Sequence, residues 1–71
     1  MKEYLAIFER AEHNWAAYAP DVPGCIATGA TRDKCEANFR EALEFHLEGL
    51  RNRGETLPEP ISEAGQVSVG A

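Results

Sequence analysis

Four residues of this 71-residue chain are of the types that hold zinc: His13, Cys25, Cys35 and His46. A zinc centre usually draws two ligands from one short stretch, so that a single turn or helix presents both. Here neighbouring candidates stand ten or more positions apart, with no Cys-x-x-Cys and no His-x3-His pair. No metal site is expected, and His46, set between Phe39 and Leu50, reads as a core or interface histidine. Nucleophilic chemistry needs a thiol or hydroxyl beside a base and an oxyanion site. Cys35 falls near the start of a predicted helix, where a thiol pKa is lowered. It also falls on the stripe that should pack inward, so an inert buried thiol is the reading. Glu36, Glu41, Glu44 and Glu48 fall on the solvated side of the same helix. Phosphate-loop, H-E-x-x-H and G-x-S-x-G patterns are absent. No catalytic residue, cofactor or metal is expected, and the chain is not expected to be an enzyme.

Composition narrows the remaining classes. Seventy-one residues make one domain, of a size whose core rarely supplies more than ~3–5 kcal/mol of net stability. Hydrophobic residues at 44% are enough for a globular core. No apolar run nears the ~18 residues of a membrane span, and the start carries no signal-peptide pattern, so a cytoplasmic location is expected. Twelve acidic residues against seven Lys+Arg leave a net charge of −5. Direct nucleic-acid binding, which needs a basic surface, is not expected. A basic protein partner would be attracted by it. The two cysteines lack the dense, even spacing of a secreted disulfide scaffold and are read as buried thiols.

The elements that position these residues follow from periodicity. Residues of about 3–10 read as a strand, Ala11–Asn14 as a polar hairpin connection, and 15–19 (Trp-Ala-Ala-Tyr-Ala) as a second strand. Pro20-Asp21-Val22-Pro23-Gly24 should stop it, because proline donates nothing to a ladder. A third strand is predicted over 25–30. Thr31 suits a helix N-cap and Asp33 the first turn. The helix should run over about 32–53, with Arg51, Arg53 and Gly54 as its C-terminal signals. Arg32–Glu36, Glu36–Arg40 and Arg40–Glu44 are spaced to pair along its exposed face. Cys35, Phe39, Ala42, Leu43, His46 and Leu50 share the inward face, and Cys35, Ala42 and Gly49 form a lane of small residues that would let the helix approach the sheet. Prolines 58 and 60 demand extended chain, and Gln66-Val67-Ser68-Val69 alternates as a last strand over 66–69 should. The expected fold is α+β: β-β-β-α-β, an antiparallel sheet with one long helix packed on one face.

This order exposes a mismatch. The first strand is apolar on both sides, with Tyr4, Ala6 and Phe8 against Leu5 and Ile7. The second repeats it, with Trp15, Ala17 and Ala19 against Ala16 and Tyr18. A half-exposed antiparallel sheet should alternate apolar with polar. One helix covers one face, so Leu5, Ile7, Ala16, Tyr18, Val67 and Val69 are the candidate surface for a second chain.

The most distinctive stretch is Pro20-Asp21-Val22-Pro23-Gly24-Cys25. By residue chemistry it is a rigid turn: two prolines stiffen it, Asp21 bonds back to main chain, and Gly24 takes positive φ.

Taken in order, the residues 15–25, then Gly29-Ala30-Thr31, then the helix segment Asn38-Phe39-Arg40-Glu41-Ala42-Leu43 and finally Leu57-Pro58-Glu59-Pro60 resemble the HicB family of antitoxins over nearly the whole chain. The resemblance implies a partial ribonuclease-H-like fold without the acidic metal centre of that enzyme. It implies an antitoxin that neutralises a small mRNA-cleaving toxin of the HicA type by occluding its active site, and that self-associates as a dimer or larger assembly. Pro20, Asp21, Pro23 and Gly24 carry the family motif, as a structural turn or an interface. The chain departs from the family pattern at Lys34, where a glutamate would complete a capping box. It also shows no separate DNA-binding domain within residues 1–71, so autoregulation by this chain alone is not expected. The competing reading is a stand-alone oligomeric family member, regulatory or scaffolding, with no toxin partner.

Overall fold

Alternation along residues 15–19 decides which side of the sheet is dry. In the computed structural model, which describes residues 2–70, Ala17 and Ala19 are buried while Tyr18 between them is exposed. Three antiparallel strands, β1 (Ile7–Arg10), β2 (Trp15–Ala19) and β3 (Val22–Gly29), lie side by side in chain order. The helix α1 (Arg32–Asn52) crosses the Ala17/Ala19 face and packs chiefly on β3. Its inward residues Cys35 and Phe39 join Ala17, Ala19, Val22 and Cys25 in a buried core, with Tyr4, Ala6, Phe8, Trp15, Leu43 and Leu47 packed around it. The α+β class, the antiparallel sheet and the single helix on one face are as expected, and the arrangement is compatible with a partial ribonuclease-H-like fold.

Helix α1 is well specified at both ends. Thr31 Oγ1 accepts the Lys34 amide at 3.1 Å, half of a capping box whose other half Lys34 cannot supply. At the far end the Glu55 amide bonds to the Leu50 carbonyl and the Gly54 amide to that of Arg51, with Gly54 at φ 73°. That pairing is a Schellman motif, which needs a residue at ease in the left-handed region. Along the exposed face Glu36 accepts from Arg32 at 2.6 Å and from Arg40 at 3.5 Å, so Arg40 turns back to Glu36 rather than on to Glu44. Such exposed pairs add only ~0.3–0.5 kcal/mol each.

Four expectations need correcting. First, β1 starts at Ile7 rather than near residue 3. Ile7 pairs with Tyr18, and carrying that register back would set Leu5 opposite Pro20, which has no N–H to give. Second, β3 begins at Val22 and ends at Gly29, not 25–30. The turn is confined to Pro20-Asp21, since Ala19 already pairs with Val22. Pro23 is tolerated because β3 is an edge strand. The register then jumps between Tyr18/Ala19, leaving Pro23, Gly24 and Cys25 as a bulge with Gly24 at φ 85°.

Third, residues 66–69 form no strand: 55–70 have no regular secondary structure, and Val67 and Val69 are 87% and 77% exposed. Two valines alternating with polar residues offer a sheet edge little cross-strand packing, and the chain before them is tied to the turn end of the sheet. Fourth, the close approach of helix to sheet is made only at the first member of the Cys35–Ala42–Gly49 lane and is not carried on to Gly49. A Cβ on Gly49 would meet only the Arg53 guanidinium, at 3.3 Å, whereas one on Gly29 would lie 2.4 Å from the Cys35 backbone nitrogen. The helix presses on the sheet at its first turn, over the last residue of β3.

Candidate interaction surfaces

Asp21 stands in the two-residue turn between β2 and β3, and there its carboxylate becomes a clamp. Oδ2 accepts the amides of Ile61 and Ser62 at 3.1 and 2.9 Å, and Oδ1 accepts the Ser62 hydroxyl at 2.7 Å. Close by, Tyr4 donates its hydroxyl to the Pro58 carbonyl at 2.6 Å, and Lys2 pairs with Glu59 at 3.3 Å. The segment 58–62 is thus strapped across the turn end of the sheet. The motif residues Pro20, Pro23 and Gly24 remain exposed around it. Sequence reasoning gave Asp21 a bond to its own turn; the partner is forty residues away.

The Ser62 amide and hydroxyl, with Ile61, hold the Asp21 carboxyl below its ordinary value of 3.8, against a smaller opposing push from desolvation. A depressed carboxyl pKa adds stability that is fully present above the ordinary value and is lost as pH falls through the lower folded value. The strap should therefore be insensitive to pH above about 5. Following the Ser62 amide shift by NMR, we expect a midpoint below 3.8; a midpoint at or above it would mean that the clamp does not form.

The open face of the sheet carries an apolar row. Ile7 pairs with Tyr18 and Tyr18 with Ile26, one residue from each strand, and Tyr18 and Ile26 are 39% and 65% exposed. Ile26 was not anticipated, although its alternation with buried Cys25 and half-buried Ala27 marks it as outward. The next row is mixed: Ala16 lies between Glu9 and Thr28. Leu5 lines a different feature, an open groove of about 590 Å³ between the β1 side and α1, shared with Tyr4, Phe8, Phe39, Leu43 and Leu47. Val67 and Val69 join neither. Of the six residues expected to form one surface, the structure brings together Ile7, Tyr18 and Ala16.

Sequence reasoning also missed Phe45, which projects from the middle of α1 at 80% exposure. It lies off the inward stripe among Glu41, Glu44 and Glu48, and an aromatic in so acidic a stretch was a readable signal.

Chemistry is sparse. The thiols of Cys25 and Cys35 are free and buried, burial pushes that of Cys25 up, and Cys35 Sγ donates weakly to the Ala27 carbonyl at 3.8 Å. Burial leaves the Cys25 thiol little thiolate to offer. Among the described residues no group of three or more His, Cys, Asp or Glu is placed to hold a metal, and no helix is long and apolar enough to cross a membrane.

A family model described as the HicB-like antitoxin of a bacterial toxin–antitoxin system matches residues 4–68. The chain belongs to the HicB-like antitoxin family. A protein of the rep–hol intergenic region of Haemophilus phage HP1 is 36% identical over 62 residues, covering 84% of this chain and 47% of the relative. The chain therefore spans about half the length of that phage protein. A UPF0150 protein of Thermoplasma acidophilum is 27% identical over 63 residues, covering 89% of this chain and 91% of the relative. Among solved structures, a chain of a HicA3 and HicB3 toxin–antitoxin complex superposes with a TM-score of 0.71 and 32% identity, covering 84% of this chain and 70% of that one. The fold of this HicB-like chain is thus one seen in a toxin-bound assembly.

Proposed function

We propose that this HicB-like chain is the antitoxin of a HicA-type pair, binding a small mRNA-cleaving toxin stoichiometrically and covering its active site. The observation that carries this reading is the likeness, at 32% identity and a TM-score of 0.71, to a chain solved within a toxin–antitoxin complex. Charge and surface support it. A net charge of −5 suits a partner that must itself attract RNA. The Ile7–Tyr18–Ile26 row leaves an apolar face for a second copy, so the antitoxin also self-associates. On this reading the antitoxin silences a ribonuclease by occupying it, so inhibition should saturate at a fixed ratio rather than turn over.

The test is RNA cleavage by the HicA-type toxin of its own operon, titrated with this protein at two ionic strengths. Cleavage should fall linearly to an end point at a fixed molar ratio, and association should slow as salt rises. Abolition by sub-stoichiometric amounts, or full activity at saturating antitoxin, would sink the occlusion reading and leave the stand-alone oligomeric scaffold.

A further inference from the structure

The hollow between β3 and the second half of α1 lies apart from the strap, and meets the open sheet face at Ile26 and the core at Cys25. Phe45 and Ile26 line it from opposite elements, together with Gly24, Ala42, Gly49 and Arg53, whose guanidinium is paired with Glu55. Both large side chains are mostly in water, at 80% and 65% exposure, in a domain whose other helix aromatic, Phe39, is 3% exposed. The hollow, about 290 Å³, is shallow and edged by small residues, so an incoming side chain can reach both. Glu41, Glu44 and Glu48 stand beside Phe45 around an adjoining depression. The ion pairs of the described residues use Glu12, Glu36, Glu55 and Glu59 but none of these three. An apolar anchor beside uncompensated charge is the layout of a binding hot spot with a steering rim.

We infer that the Phe45–Ile26 hollow with its Glu41/Glu44/Glu48 rim is the docking surface for the toxin, a basic protein that seats an apolar side chain against Phe45 and sets Lys or Arg against the glutamates. This deepens the antitoxin reading and rests on it. Charge decides the occupant. A second copy of this chain, also at −5, would bring glutamate rim against acidic surface, whereas the uncharged Ile7–Tyr18 part of the open row carries no such penalty. The free edge of β3, bulged at Pro23–Cys25, lies alongside and leaves main-chain groups open to the same partner.

The anchor and the rim make separable contributions, because rim charges act on encounter and a desolvated aromatic acts on dissociation. The experiment measures association and dissociation rates with the catalytically silenced toxin of the same operon, at two ionic strengths, for wild type, Phe45→Ala and the triple Glu41→Gln/Glu44→Gln/Glu48→Gln variant. Phe45→Ala should weaken binding by about tenfold to a hundredfold, through faster dissociation. The triple variant should slow association several-fold and flatten its salt dependence. Since these side chains are exposed, helix content and self-association should stay at wild-type levels. Wild-type affinity in Phe45→Ala would place the toxin elsewhere, and loss of self-association with toxin binding intact would give the hollow to a second copy. Failure of wild type to bind the toxin at all would overturn the antitoxin reading itself.

Discussion

Gly29→Ala should lower the melting temperature by about 10 °C or more, the largest effect expected from adding a single carbon atom to this chain. The new Cβ would lie 2.4 Å from the Cys35 nitrogen, 2.7 Å from its Cα and 2.9 Å from the Lys34 carbonyl carbon, all backbone atoms of the first helical turn. No rotamer change relieves a clash with backbone, so the helix must lift from β3. Overpacking costs ~1–3 kcal/mol, occasionally more. At ~4–8 °C per kcal/mol for a domain of this size, the upper half of that range gives the stated shift. Gly49→Ala is the control. Its Cβ would meet only the flexible Arg53 side chain, and alanine in a helix interior gains roughly 0.5–1 kcal/mol over glycine. Thermal melts of both variants settle the matter; equal melting temperatures would show that the helix does not rest on β3 as described.

Phe39→Ala should leave the isolated domain mostly unfolded. The buried core is Ala17, Ala19, Val22, Cys25, Cys35 and Phe39, and Phe39 is the largest of the six. Removing such a ring costs ~3–5 kcal/mol. The net stability of a single core of this size is of the same order. Far-UV circular dichroism at room temperature should therefore show lost helix. Because a partner that binds the folded state stabilises it by mass action, the toxin of the proposed pair should restore part of the signal if added. A Phe39→Ala protein as helical as wild type would mean that another group of residues holds the helix down.

These two residues also show what the sequence makes legible. The 3.6-residue period put Phe39 and Cys35 on the inward face, and both are buried. Thr31 and Gly54 announced the helix ends to within a residue, because capping is local chemistry between positions three to five apart. Gly29 was not recognised as the contact point, since close approach depends on which strand residue meets which turn of the helix. The bulge at Pro23–Cys25 was read as a turn for the same reason: proline and glycine mark a break in pairing, and only the register says whether the chain reverses there. The Asp21 clamp was invisible, as nothing local tells a carboxylate that its partner is Ser62. Of the candidate surface, Ile7 and Tyr18 follow from alternation alone, whereas Val67 and Val69 depended on a strand that two valines could not secure.

The strap across the turn end of the sheet implies an order of events in time. Its contacts, Lys2–Glu59, Tyr4–Pro58 and Asp21 with Ile61 and Ser62, join residues 40 to 57 positions apart. The β2–β3 turn spans two residues and the helix bonds four, so those elements form on microsecond scales, before so long a loop has reason to close. Loop-closure entropy must be met before the clamp returns anything, which makes docking of 58–62 a late step in folding. What docks late and buries little apolar surface also opens first. Amide exchange at Ile61 and Ser62 should then proceed by local opening, while the amides of Cys35 and Phe39 wait for the whole domain to come apart. A protease given this protein would meet the chain beyond Leu57 long before it met the core, and the trimmed remnant would still hold its sheet and helix.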